Sequence, residues 1–185
     1  YADTHDQQAV PARYYQITLT SHLAFTGASA LLLMLMYSLL RLALLLYNQE
    51  QIGDTSAWVL AEAFLNGLRF DLRLVVYACA PLLLSLLSPR AMAARRLHVA
   101  WLTLFASLTL FLGVTELDFY REFHQRLNSL VFQYLEEDLG TVLSMLWHGF
   151  PVVRYLLAWG LATLALAGLF VLIEHGTRAA SMQPA

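Results

Sequence analysis

Charged residues are scarce in this chain. They make up 13% of its 185 residues, whereas a soluble domain of this length carries roughly 25%. Lysine is absent, so all eleven basic residues are arginine, and the formal net charge of −2 gives no reason to expect nucleic acid as a partner. The single cysteine, Cys79, excludes an internal disulfide, and its place inside an apolar run favours a packing role.

Motifs that carry chemistry are also missing from the sequence. It has no nucleophile beside a base, no glycine-rich phosphate loop and no metal-ligand spacing among its six histidines. A membrane haem needs two histidines that face each other within the bilayer, and we expect His22, His98 and His175 to lie at its edge. The sequence therefore predicts no catalytic residue, metal ligand or cofactor in this chain.

Long apolar runs are what the sequence does contain. The chain is 59% hydrophobic, with a mean hydropathy of +0.58. Four runs each approach the ~20 residues that a helix needs to cross a hydrocarbon core of ~30 Å. We predict an all-α, polytopic membrane protein that forms a single membrane domain over residues 1–185. Its spans lie at about 23–47, 72–88, 97–115 and 152–173.

The segment between spans two and three sets the expected orientation. Residues 88–98 contain Arg90, Arg95 and Arg96 and no acidic residue. By the positive-inside rule this short loop is cytoplasmic, and so is the N-terminus. Segments 48–68 and 116–151 then face outward.

Span two is predicted to belong to a longer helix over residues 55–88. One of the polar residues 54–56 caps its start. At ~1.5 Å per residue such a helix is about 50 Å long, so its first part protrudes or lies in the membrane interface. Counting back from Ser88 places the outer membrane boundary near Asp71, and Pro81 predicts a kink inside the span.

A second helix is predicted over residues 129–148. Its apolar positions recur every three or four residues, and its carboxylates lie away from them. We therefore expect an amphipathic helix in the outer interface. The apolar positions are Val131, Leu135, Leu139, Val142 and Leu146.

Two arginines at the start of span two form the first candidate site. Arg69 and Arg73 are four residues apart and share a helix face, whereas Asp71 points elsewhere. In one interpretation the arginines snorkel to the headgroups and Asp71 forms an interhelical ion pair. In the other, the two arginines bind a lipid phosphate. Arg41, two turns inside span one, either snorkels outward or pairs with Asp71.

The polar stretch that follows span three is the second candidate. Glu116 lies nearest the membrane and needs a partner there, for which Arg69 and Arg73 are at a similar depth. This stretch is either an ion-pair network that joins spans two and three or the polar floor of a headgroup site. Its candidate residues are Glu116, Asp118, Tyr120, Arg121, Arg126 and Asn128.

Gly67-Leu-Arg-Phe-Asp71 opens span two, a basic turn follows, and Asp118-Phe-Tyr-Arg-Glu-Phe-His-Gln-Arg-Leu-Asn128 follows span three. In this order the motifs resemble the membrane domain of lipoteichoic-acid-synthase-like proteins. These are bacterial phosphoglycerol transferases of the alkaline phosphatase/sulfatase superfamily. The resemblance extends from about residue 20 to residue 175.

The resemblance implies a function as a membrane anchor. In that family five spans precede an extracytoplasmic domain, whose metal-activated Thr or Ser takes glycerol phosphate from phosphatidylglycerol. This chain has four predicted spans and no such domain, so we expect it to be the N-terminal part of a longer protein. No catalytic or metal-binding residue carries over, and a divalent metal such as manganese is expected only in the missing domain. The implied location is the bacterial cytoplasmic membrane, with membrane lipids, phosphatidylglycerol among them, as partners.

Two alternatives stay open at this point. One is a stand-alone four-span scaffold whose outer helix, residues 129–148, contacts a partner protein. The other is the membrane domain of a phosphoethanolamine transferase, which shares the general layout.

Overall fold

Four long helices make up most of the computed structural model. It describes residues 4–47, 55–123 and 152–182, with Gly140, Ser144, Trp147 and His148, and the described side chains are those at 18–47, 55–115, 152–180 and these four. The helices are α1 (Thr4–Tyr47), α2 (Ala57–Leu84), the short α3 (Pro89–Ala93), α4 (Arg95–Phe123) and α5 (Val152–Met182), with a 3₁₀ turn at Ser85–Leu87.

Each long helix contains a stretch that is long and apolar enough to cross a membrane. These stretches are Thr18–Tyr47, Ala57–Leu87, Arg95–Thr115 and Val152–Ala180. The prediction of four membrane-spanning helices is therefore confirmed in length and composition.

The helix ends lie further out than the predicted spans. The first helix already begins at Thr4. The last continues past Ile173, because Glu174 pairs with Arg178 one turn later and the Thr177 hydroxyl donates to the Ile173 carbonyl at 2.9 Å. Polar residues at these ends thus extend the helices instead of ending them.

The predicted long helix around span two is present as α2. The Ser56 hydroxyl caps it by accepting from the Val59 amide at 3.5 Å, so Ser56 is the cap among the three candidates. The helix continues through Pro81 to Leu84, which gives it a length of about 42 Å. It is longer than a hydrocarbon core of ~30 Å, as the sequence predicts.

The helix α1 lies at the centre of the bundle. It packs against α2, α3, α4 and α5, while α4 also packs against α5 and α2. The core between the helices is apolar and includes Phe25, Leu33, Leu82, Leu102 and Phe170, all fully buried.

Most of the apolar surface nevertheless faces outward. Only 11–33% of the most apolar window of each span is buried inside the bundle. Leu31, Leu84 and Leu164 are 73%, 66% and 70% accessible. An apolar surface of this extent is far larger than soluble monomers expose, and it fits a hydrocarbon surrounding.

The predicted amphipathic helix at 129–148 lies almost wholly outside the described residues. Gly140, Ser144, Trp147 and His148 are helical, and His148 Nδ1 lies 2.8 Å from the Ser144 carbonyl oxygen. The apolar stripe and its place in the interface stay predictions.

Candidate functional site: polar clusters at the two ends of the bundle

An ion pair joins α1 to α2 at one end of the bundle. Arg41 Nη2 donates to both carboxylate oxygens of Asp71 at 2.7 Å. Asp71 is only 7% accessible, so its charge is held inside the protein. Of the two options for Arg41, the structure has the pair with Asp71, and Asp71 is thereby engaged between the helices.

The sequence around Asp71 makes room for this pair. Gly67 lies one turn before Asp71, and the Arg41 guanidinium occupies the space where a Cβ at position 67 would lie. The Phe64 ring contacts the same guanidinium, with its centroid 5.7 Å from Arg41 Cζ. Arg41, Phe64, Gly67 and Asp71 are called the Arg41 cluster below.

Arg69 and Arg73 lie on a different face of α2. Both are exposed, one helical turn apart, and Arg73 Cζ lies 5.0 Å from the centroid of the Phe70 ring. Among the residues that the structure describes, neither arginine forms an ion pair. Two guanidinium groups thus project from one face of the helix, while the Asp71 carboxylate on another face is paired with Arg41.

The polar stretch after span three is described only in part. The backbone of residues 116–123 continues α4, so Glu116, Asp118, Tyr120 and Arg121 are helical. Their side chains, and all of Arg126 and Asn128, lie outside the described part of the chain. The proposed contact from Glu116 to Arg69 or Arg73 stays a prediction.

The opposite end of the bundle holds a second polar cluster. His22 is fully buried, and its Nε2 lies 2.8 Å from both the Leu82 carbonyl oxygen and the Ser85 hydroxyl. Because a carbonyl only accepts, this contact favours the tautomer that carries its hydrogen on Nε2. The His98 ring meets the His22 ring edge-on, with centroids 5.2 Å apart.

Arg95 connects this end to the remaining helices. Its Nη2 donates to the Ser21 hydroxyl at 3.1 Å, and Ser21 donates to the Thr177 carbonyl at 3.2 Å. The Arg95 guanidinium also lies over the Phe25 ring, 5.0 Å from its centroid. Glu174, 8% accessible, pairs with Arg178. The Arg95 cluster, as it is called below, consists of Ser21, His22, Ser85, Arg95, His98 and Glu174.

The sequence does not predict the Arg95 cluster. It predicts a basic loop at residues 88–98, whereas Arg95 is the first residue of α4 and only 4% accessible. The spacing of Arg95 and His98, three residues apart, is the signal that places both on one helix face. Only the packing of α1 against α4 shows that this face is covered.

The described contacts of the two clusters are ion pairs and hydrogen bonds that join neighbouring helices. Among the described residues, no group of three His, Cys, Asp or Glu side chains is placed to hold a metal ion.

Comparisons with known proteins identify no relative. The chain matches no protein-family model, no curated protein and no solved structure. The resemblance to lipoteichoic-acid-synthase-like proteins stays a prediction from the motifs at 67–71 and 118–128.

Proposed function

We propose that this chain is the membrane-anchor domain of a lipid-headgroup transferase, a phosphoglycerol transferase, at the outer face of a bacterial cytoplasmic membrane. In this proposal Arg69 and Arg73 bind the phosphate of phosphatidylglycerol and present the lipid to a catalytic domain elsewhere in the protein. The observation that supports it is the exposure of both arginines on one face of α2 while Arg41 holds Asp71 inside.

Electrostatics favours a phosphate at this position. Asp71 is the acidic residue nearest to both arginines in the sequence. Because Asp71 pairs with Arg41, it does not neutralise the charges of Arg69 and Arg73. Guanidinium groups bind phosphate oxygens through paired hydrogen bonds. At an anionic membrane surface each such arginine contributes about 1 kcal/mol to the attraction.

The depth of the two arginines also suits a headgroup. Arg69 lies about 27 Å along the helix from Leu87 at ~1.5 Å per residue, close to a hydrocarbon thickness of ~30 Å. Arg90 follows Leu87 at the other boundary. In the proposed orientation Arg90 is cytoplasmic, so Arg69 and Arg73 reach the outer headgroups.

The chemistry of transfer belongs to residues outside this chain. The proposed anchor holds the donor lipid by its phosphate, and the catalytic nucleophile and any divalent metal are supplied by the further domain. Within this chain the contribution is binding and orientation of the lipid.

The test is the double substitution Arg69→Gln and Arg73→Gln in the full-length protein. We expect phosphatidylglycerol binding at this site to weaken by about tenfold or more, since each charged hydrogen bond contributes about 1.5–3 kcal/mol. Native mass spectrometry with phosphatidylglycerol, and with phosphatidylcholine of the same acyl chains, measures the loss of headgroup preference.

The matched control is Arg154→Gln, which removes another exposed arginine, at the start of α5. It should leave phosphatidylglycerol binding unchanged. If the double variant binds the lipid as well as the wild type and only loses thermal stability, then Arg69 and Arg73 are structural and the proposed site is wrong.

A further inference from the structure

An open groove runs along the outer surface of the bundle between α4 and α5. Its volume is about 500 Å³. It begins at Arg96, near the start of α4, and reaches Ser107 and Thr163 deeper in the bundle. The lining residues are Arg96, Val99, Ala100, Thr103, Leu104, Ser107, Thr163 and Ala167.

The length of the groove matches one membrane leaflet. From Arg96 to Ser107 the helix rises about 16 Å at ~1.5 Å per residue. Half of a hydrocarbon core of ~30 Å is about 15 Å. A groove of this length on the outer surface is about as long as one acyl chain in a single leaflet.

The polar groups at the deep end of the groove hydrogen-bond to one another. The Ser107 and Thr163 hydroxyls lie 2.9 Å apart and hydrogen-bond to each other, and the Trp159 indole donates to the Ser107 carbonyl at 3.0 Å. These polar groups are therefore satisfied within the bundle. Small and apolar side chains such as Ala100 and Ala167 leave space that suits an alkyl chain.

The mouth of the groove carries a positive charge. Arg96 is exposed, whereas its neighbour Arg95 is buried in the Arg95 cluster. Residues 85–115 contain no Asp or Glu, and the nearby Glu174 is paired with Arg178. A phosphate at the mouth would meet an arginine and no carboxylate from these residues.

We propose that this groove binds one acyl chain of an anionic phospholipid from the leaflet at the Arg95 end, with its phosphate on Arg96. The match between groove length and leaflet depth favours an acyl chain, and the charge of Arg96 at the mouth favours an anionic lipid over an uncharged one. The site is independent of the proposed headgroup site, because Arg69 and Arg73 lie beside Asp71, toward the end of the bundle opposite the Arg95 cluster.

Two pairs of variants test the site in the full-length protein. Arg96→Gln removes the charge at the mouth, and Arg90→Gln removes an exposed arginine that does not line the groove. Ala167→Phe fills the groove, and Ala165→Phe places the same ring on an exposed position of α5 outside it. Native mass spectrometry counts the phosphatidylglycerol that each variant retains after detergent release, with phosphatidylcholine of the same chains as the comparison lipid.

We expect Arg96→Gln to weaken retention of phosphatidylglycerol by about tenfold, as the loss of a charged contact predicts. Ala167→Phe should remove the phosphatidylglycerol bound in the groove while the lipid at Arg69 and Arg73 stays bound, and both control variants should retain as much lipid as the wild type. Equal losses in Arg90→Gln and Arg96→Gln, or full retention in Ala167→Phe, would overturn the proposal. A change of oligomeric state in Ala167→Phe with unchanged lipid retention would show instead that a protein helix fills the groove.

The two lipid sites can be told apart in the same experiment. The Arg69→Gln and Arg73→Gln variant leaves the groove intact, so it should still lose lipid when Ala167→Phe is added. If only the double substitution lowers retention, the groove proposal fails. If only Ala167→Phe lowers retention, the headgroup-site proposal fails.

Discussion

Gly67 permits an ion pair between the half-buried Arg41 and the buried Asp71 that no other residue at position 67 would allow without rearrangement. The Arg41 guanidinium lies against the α2 backbone at Gly67 and reaches Asp71 one turn later. A carboxylate as buried as Asp71 would be costly without its partner, by about 3–5 kcal/mol when one member of a buried pair is removed. The glycine thus supports the contact that fixes α1 against α2 at this end.

Gly67→Ala should therefore destabilise the protein by about 1–3 kcal/mol, because the added methyl displaces the Arg41 guanidinium from its place beside Asp71. Gly168→Ala is the matched control. A Cβ there meets nothing within 4 Å, and alanine favours a helix over glycine by up to about 1 kcal/mol. Unfolding in mixed detergent micelles compares the two. Equal stability of both variants would show that the Arg41 cluster tolerates the methyl group.

The sequence predicts two options for Arg41, a pair with Asp71 and snorkelling, and does not choose between them. The depth of Arg41 in span one and the depth of Asp71 in span two suggest the pair, but snorkelling satisfies the same arginine equally well. The choice depends on how α1 and α2 face each other. The role of Gly67 has no signal in a single sequence, because it arises from the approach of a side chain from another helix.

At the scale of the helices, apolar length predicts where the spans lie but not where the helices end. The four spans follow from runs of about 20 apolar residues. The helix α5 continues to Met182 because local contacts such as the Glu174–Arg178 pair sustain it outside the apolar run. Hydropathy carries no information on such contacts.

The Arg95 cluster connects the helices at the other end of the bundle. Ser21 on α1 accepts from Arg95 on α4 and donates to the Thr177 carbonyl on α5. His22 on α1 reaches the Leu82 carbonyl on α2. Each of the other three long helices is therefore hydrogen-bonded to α1 through the adjacent positions Ser21 and His22.

Ser21→Ala should lower the free energy of unfolding by about 1–3 kcal/mol, since it leaves the buried Arg95 guanidinium without this acceptor. Ser88→Ala is the control, because the Ser88 side chain makes no capping hydrogen bond at the start of α3. Thermal unfolding in detergent gives the comparison. A Ser21→Ala protein as stable as Ser88→Ala would mean that the hydrogen bonds of Ser21 contribute nothing to holding the helices together.

At the scale of the whole molecule, the number of spans was predictable and the order of packing was not. Four apolar runs predict four helices, yet nothing in them indicates that α1 packs against all the others. Neighbour relations depend on which face of each helix is covered, and helices that are apolar on all sides carry a weak periodic pattern. The Arg95 cluster was missed for this reason.

The proposed orientation makes a prediction about chemical access. Cys79 is 5% accessible and lies within the second span, so it should not react with a membrane-impermeant maleimide. In a Cys79→Ala background, a cysteine introduced by Arg69→Cys should be labelled from outside intact cells. One introduced by Arg90→Cys should be labelled only after the membrane is opened. The reverse pattern would place Arg69 and Arg73 on the cytoplasmic side and remove them from the proposed reaction.

The face of α2 that carries Arg69 and Arg73 is proposed to bind an anionic lipid headgroup. Phe70 and Tyr77 are 62% and 65% accessible and two turns apart on this helix, so a photo-cross-linking aromatic residue fits at either position. With the probe at Phe70 we expect cross-linking to phosphatidylglycerol in preference to phosphatidylcholine of the same chains, and loss of that preference in Arg69→Gln with Arg73→Gln. The probe at Tyr77, about 10 Å deeper, should label both lipids equally. Equal labelling of the two lipids from Phe70 would show that this face has no headgroup site.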